Sequence, residues 1–155
     1  MSRFNVTIGP ERIVIREALQ PFMLQTRQGR LAVTAQMPVP LGTAFPGVWK
    51  TVVSDDAGRS WREWSLPNVP GGSPFHEGCA VQLQNGTIVI LSWSARGPER
   101  GGHWVAQRWE SRDNLESLQG PFEADLYLPQ ARGGFDDDGH PVPEVFLHRS
   151  LLELP

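Results

Sequence analysis

A chain of 155 residues, 39% hydrophobic and 20% charged, is long enough to bury one core. Its net charge of −3, with Lys50 the lone lysine, gives no basic field for nucleic acid, and the single cysteine, Cys79, excludes an intrachain disulfide and a paired-thiolate metal site. The N-terminus lacks an apolar stretch followed by small residues and no run reaches the length of a membrane span, so the chain as written reads as cytoplasmic with no membrane partner.

Sixteen glycines, 14 prolines and six tryptophans, without a sustained helical period, predict short strands joined by turns, an all-β chain. Residues 4–8 and 12–18 alternate weakly, Ile13 and Ile15 against Arg12, Val14 and Arg16, which predicts a leading edge strand within 1–19. Residues 22–26 and 31–35 form a hairpin signal about Arg27-Gln28-Gly29. A Pro/Gly-rich stretch from Met37 to Gly47 precedes a second hairpin, 49–53 and 62–66. The loop 67–77 leads to 78–83 and 87–93 about Gln84-Asn85-Gly86, where Asn-Gly is a strong turn signal. The loop 95–102 comes next, then strands 104–110 and 122–128 about the turn 111–118. After the loop 129–143, residues 145–155 read as one more opening strand.

The turn between the strands of the second hairpin is Ser54-Asp55-Asp56-Ala57-Gly58-Arg59-Ser60-Trp61. Ser54 and Asp56 can bond nearby backbone N–H groups, Gly58 can take a positive φ, and Trp61 can pack beneath the reversal. Gly86 stands 57 residues after Gly29, and Ser111 stands 57 after Ser54. The second turn keeps Ser111, Asp113 and Ser117 in register but has Leu115 for the glycine and Leu118 for the tryptophan, so it reads as a decayed copy. A repeat of four strands at this spacing is the signature of propeller blades.

Ser54-x-Asp56-x-Gly58-x-Ser60-Trp61 resembles the Asp-box (BNR repeat) of the sialidase, or neuraminidase, superfamily, a structural turn joining the outer strands of β-propeller blades. The resemblance implies a partial sialidase-like propeller: the leading strand in 1–19, a first four-stranded antiparallel blade over 20–67, a second over 78–128, and the start of a third over 144–155. A ring needs at least about four blades, so the remaining blades would lie outside this chain. Relatives of this type are often exported, which would require an N-terminus upstream of Met1.

The turns at 27–29, 55–59, 84–86 and 112–116 are short and share one face by strand parity, while the connections at 37–48, 66–77, 94–103 and 129–143 are long and share the other. Long loops on a rigid scaffold are the usual location of a site. His76-Glu77 and His148-Arg149 start the first strands of their units and so are candidates for contacting a glycan or other small-molecule substrate; the alternative is that they are satisfied structural side chains. Asp136, in Asp136-Asp137-Asp138-Gly139-His140, and Arg132 adjoin them, either as contacts or as a solvated acidic loop. Asp-x-Asp-Gly without further ligands does not make a calcium loop, so no metal and no cofactor is expected. Trp49, Trp93, Trp104 and Trp109 are either sugar-stacking surfaces or fillers between blades.

Sialidases are implied to use a tyrosine nucleophile, a carboxylate partner, an aspartic acid/base and three arginines. Here the early Arg-Ile-Pro motif falls at Leu19-Gln20-Pro21, where the proline alone matches. Gly47-Val48 stand where the acid/base aspartate is expected, and Tyr127, the sole tyrosine, falls on an outer strand. Two functions follow: a glycoside hydrolase or related carbohydrate-active protein acting on terminal sugars, with no catalytic residue assigned, or a non-catalytic propeller binding glycan or protein.

Overall fold

Among the residues that the structure describes, short β-branched and aromatic runs between glycine-bearing turns form nine strands and no helix. The structure, a computed structural model, describes residues 9–38, 49–65, 80–97, 101–134, 138–140, 144–147 and 151. The strands are β1 (Leu19–Gln25), β2 (Leu31–Gln36), β3 (Trp49–Ser54), β4 (Arg62–Glu63), β5 (Ala80–Gln82), β6 (Ile88–Arg96), β7 (His103–Ser111), β8 (Gln119–Tyr127) and β9 (Glu144–Phe146). They build two antiparallel sheets, β1-β2-β3-β4 and β5-β6-β7-β8, neither closed on itself, and β9 pairs with β6 in the second.

The two sheets repeat one pairing register. Gln25↔Leu31, Leu24↔Ala32 and Met23↔Val33 recur 57 residues later as Gln82↔Ile88, Val81↔Val89 and Ala80↔Ile90. The pairs from Leu31↔Ser54 to Thr34↔Thr51 recur as Ile88↔Ser111 to Leu91↔Arg108, and Val53↔Arg62 recurs as Glu110↔Gln119. Gly29 N–H bonds Thr26 O, and Gly86 N–H bonds Leu83 O, each at 2.9 Å.

The second Ser-Asp turn has not lost its geometry. In the first, Ser54 Oγ donates to Asp56 Oδ1 and accepts from Gly58 N–H, while the Ser60 amide and hydroxyl donate to the two Asp56 oxygens. Ser111, Asp113, Leu115 and Ser117 reproduce all four bonds. The backbone agrees: Ala57 and Gly58 have φ of +58° and +81°, Asn114 and Leu115 of +58° and +67°. Leu115 accepts a conformation that favours glycine because its side chain, 1% exposed, is needed in the core.

That core lies between the sheets. Leu24, Ala32, Val53 and Trp64 from the first sheet meet Ala80, Ile88, Ile90, Leu115 and Leu118 from the second unit. Polar contacts close the same end: Arg27 N–H bonds Gln82 Oε1, the Arg27 guanidinium bonds Gln84 O, and Trp64 Nε1 donates to Leu115 O at 2.8 Å. Arg30, 6% exposed, donates to Asp55 on its own sheet and to Asn114 O and Glu116 on the other. The four short turns therefore gather at one end, as strand parity predicts.

Three expectations meet a different structure. Residues 12–18 form no strand: 14–17 is a bend, Glu17 has φ +53° and Ile13 is 68% exposed, while 4–8 lie outside the described residues. Within the described residues β4 ends at Glu63 and β5 at Gln82, short of the runs 62–66 and 78–83. Among the described residues β5 pairs β6 over Ile88–Ile90, and β9, expected as the start of a third blade, pairs β6 at Ser94–Arg96.

The Asp56 carboxyl is held well below the usual carboxylate range, chiefly by the Ser60 hydroxyl, then by the Ser60 amide and the Ser54 hydroxyl. Burial pushes Asp113 up, but the Ser117 hydroxyl and amide and the Ser111 hydroxyl bring it below the usual range overall. A folded pKa below the unfolded one contributes stability above the unfolded value, about 4, and loses it as pH falls through the folded value. The melting temperature is therefore expected to hold from about pH 7 to 5 and to fall below about pH 4. Thermal melts of an Asp56→Asn/Asp113→Asn double variant should show a shallower acid limb; a limb as steep as wild type would show that these turns do not set it.

Candidate functional site

At the end away from the turns, the second sheet carries a polar surface built by strand alternation. His103, Val105 and Gln107 share one face of β7 and stand opposite Tyr127, Asp125 and Glu123 of β8. Arg96 of β6 pairs with Val105 on one side and with Glu144 of β9 on the other, so Glu144, Arg96, Val105 and Asp125 form a row across four strands. A cavity of about 1190 Å³ opens over this surface, lined by Ser94, Arg96, His103, Gln107, Glu123 and Glu144 among others. Trp109, on the same face of β7, packs against the inter-sheet core, so the cavity opens on the side of the second sheet that faces the first.

Two pairs fix side chains there. His103 Nδ1 lies 2.9 and 3.0 Å from the two Asp125 oxygens, and its ring centroid is 5.1 Å from that of Tyr127. In the neutral ring with Nδ1–H donated to the carboxylate, Nε2 is an acceptor. Ser94 Oγ donates to Glu144 Oε1, and Ser92 Oγ, in the bulge of β6 opposite β7, accepts from Gln107 N–H at 3.0 Å. The opposite face is sealed by Ala95, Trp104, Ala106 and Val145, with Trp104 Nε1 donating to Leu128 O. The described lining thus offers two carboxylates, a guanidinium, an imidazole acceptor, an amide and hydroxyls, a set able to hydrogen-bond a hydroxyl-rich ligand or to exchange a proton with one. No group of three or more His, Cys, Asp or Glu among the described residues is placed to hold a metal ion.

His76, Glu77, Asp136, His148 and Arg149 lie outside the described residues. Of their neighbours, Arg132, Asp138 and His140 are exposed. Ser54, Asp56, Gly58, Ser60 and Trp61 come together at the turn end. Trp109 is partly buried against the inter-sheet core, as a filler between blades would be, whereas Trp104 is buried in the cluster behind the second sheet and Trp49 is buried outside both clusters; the Trp93 side chain lies outside the described part. Sequence reasoning missed Arg96, His103, Glu123, Asp125 and Glu144. The usable signal was the period-two placement of His103 and Gln107 on one strand and of Glu123, Asp125 and Tyr127 on the next, once those strands are paired.

No protein-family model matches the chain, and comparison with curated proteins finds no match. Among the described residues no helix is long and apolar enough to cross a membrane.

Proposed function

We propose that this chain supplies two blades of a sialidase-like β-propeller in a carbohydrate-active protein that acts on terminal sugars. The observation that carries the reading is the recurrence, at one 57-residue offset, of both the strand register and the four-bond Ser-Asp turn, with one core joining the two units. On this reading the turn end is the pinned base of the blades, and the long loops with the cavity form the working end. Glu123 and Glu144 supply the carboxylates that glycoside hydrolysis requires, Arg96 and His103 orient the sugar, and His76, Glu77, Asp136, His148 and Arg149 contribute contacts from the loops. Tyr127, on the edge strand β8 against His103, has no nucleophilic role in this reading. The second reading is a non-catalytic propeller that binds glycan or protein; it is favoured by the pairing of Glu144 with Ser94 and of His103 with Asp125, which spends these groups on a fixed surface.

Hydrolysis of fluorogenic terminal glycosides, sialosides included, alongside glycan-array binding, tests the proposal. Glu144→Gln, which keeps an acceptor for Ser94, is expected to lower kcat/KM by about 10²-fold if Glu144 acts as acid or base, and His148→Ala and Arg149→Ala are expected to raise KM. Turnover unchanged in all three removes the site assignment. Array binding without turnover supports the second reading, and neither activity nor binding sinks both.

A further inference from the structure

A sheet edge is a template for another strand unless it is blunted, and the edges of these two sheets are blunted unequally. β1 is interrupted between Leu19 and Phe22, with Gln20 at φ +48°, and β4 has two residues. β8 runs nine residues at the edge of the second sheet, and its pairing with β7 is unbroken from Phe122 to Tyr127. Among the described residues no strand pairs with its far side.

The phase of the ladder fixes what that side offers. Leu128 N–H bonds Gly102 O at 2.8 Å, one step beyond the pair His103↔Tyr127. Along an antiparallel pair, alternate residues turn N–H and C=O toward the partner and the residues between them turn theirs away. Leu126, Ala124 and Phe122 therefore bond toward β7, while Tyr127, Asp125 and Glu123 present theirs to the open side. Pro121 has no N–H, so this row of three donors begins at Glu123.

The side chains along the edge are sorted by face. Glu123, Asp125 and Tyr127 lie on the cavity face, and Phe122, Ala124 and Leu126 on the other. Asp125 pairs with His103, and Glu123 has no ion pair among the described residues. Phe122 is 42% exposed, with the Arg108 guanidinium 5.7 Å from its ring centroid. A strand laid beside β8 thus meets carboxylates on one face and apolar side chains on the other, so its complement alternates cations with apolar residues. A second copy of the chain is not that complement. Two β8 edges paired antiparallel would set Asp125 against Asp125 or against Glu123, and like charges directly opposite are destabilising.

We infer that β8 is a docking edge for an extended peptide in which lysine or arginine alternates with apolar residues, bound by strand addition. The inference depends neither on the glycan reading nor on further blades.

Titrating the full chain with a nine-residue peptide that alternates lysine and valine, followed by amide hydrogen exchange in NMR spectra, tests it. In the free protein the amides of Phe122, Ala124 and Leu126 should exchange slowly and those of Glu123, Asp125 and Tyr127 fast; the peptide is expected to slow the second set. Glu123→Lys/Asp125→Lys is expected to weaken binding of this peptide by about tenfold and to favour a peptide alternating glutamate and valine instead. Tyr127→Pro, which deletes one outward N–H, should bind about fivefold more weakly than Tyr127→Ala, which keeps it; circular dichroism confirms that each variant stays folded. The proposal is overturned if the three amides gain no protection, if a peptide with the same lysines and valines in two separate blocks binds as well, or if the folded variants bind as wild type does. Self-association of wild type that protects the same three amides would also overturn it, by giving the edge to a second copy.

Discussion

Replacing Leu115 with alanine is expected to lower stability by about 3 kcal/mol, and replacing it with glycine by about 1 kcal/mol less, although glycine is the smaller residue. The side chain is 1% exposed in the core between the sheets, so either truncation leaves a cavity where Ile88, Leu118 and the first sheet converge. Alanine keeps a Cβ at φ +67°, a conformation that costs an L-residue about 1–2 kcal/mol, whereas glycine releases it. The Leu115 amide remains free to bond Ser111 Oγ and its carbonyl to accept Trp64 Nε1 in both variants, so the comparison isolates packing from backbone strain. Urea denaturation followed by tryptophan fluorescence measures it. Glycine less stable than alanine would mean that the residue is not strained in the folded chain.

Arg30→Met is expected to cost about 2 kcal/mol. A fully buried ion pair broken on one side costs about 3–5 kcal/mol, but Asp55 and Glu116 have side chains 48% and 61% exposed and recover water when the guanidinium is removed. What is not recovered is the bond to Asn114 O and the tie between the tips of the two sheets. The bond from Arg30 is the main reason that the Asp55 carboxyl stays below the usual carboxylate range, so the variant should also let Asp55 titrate closer to an ordinary aspartate, visible by NMR. Arg30→Lys keeps the charge without the planar fork and should regain only part of the loss. A change under about 0.5 kcal/mol in Arg30→Met would show that the apolar core alone sets the docking of the sheets.

The turns were readable in advance because they depend on few residues: Gly29, Gly86 and the Ser-Asp pairs each specify a backbone shape locally, and the common offset then implied equal strand registers. Leu115 and Leu118 were misread as decay because their value comes from the facing sheet, which no local pattern encodes. The pairing of β9 with β6 was equally hidden, since the two strands lie far apart in sequence and share no motif. The same holds for the cavity. His103 and Asp125 sit on different strands 22 residues apart, and neither belongs to a motif; they meet because the β7–β8 register puts Val105 opposite Asp125 and leaves His103 one diagonal step away. A strand over 12–18 failed for the converse reason, since alternation alone supplies no partner for its backbone.

The recurrence of the four turn bonds also separates what is essential in the motif from what is adaptable. Serine, aspartate and a second serine at positions one, three and seven close the loop in both copies, while positions five and eight change from glycine and tryptophan to two leucines without altering the path. A query pattern that insists on Gly and Trp recovers one of these loops; Ser-x-Asp-x-x-x-Ser recovers both. Degenerate repeats of this kind are therefore better hunted by their polar scaffold than by their most eye-catching letters.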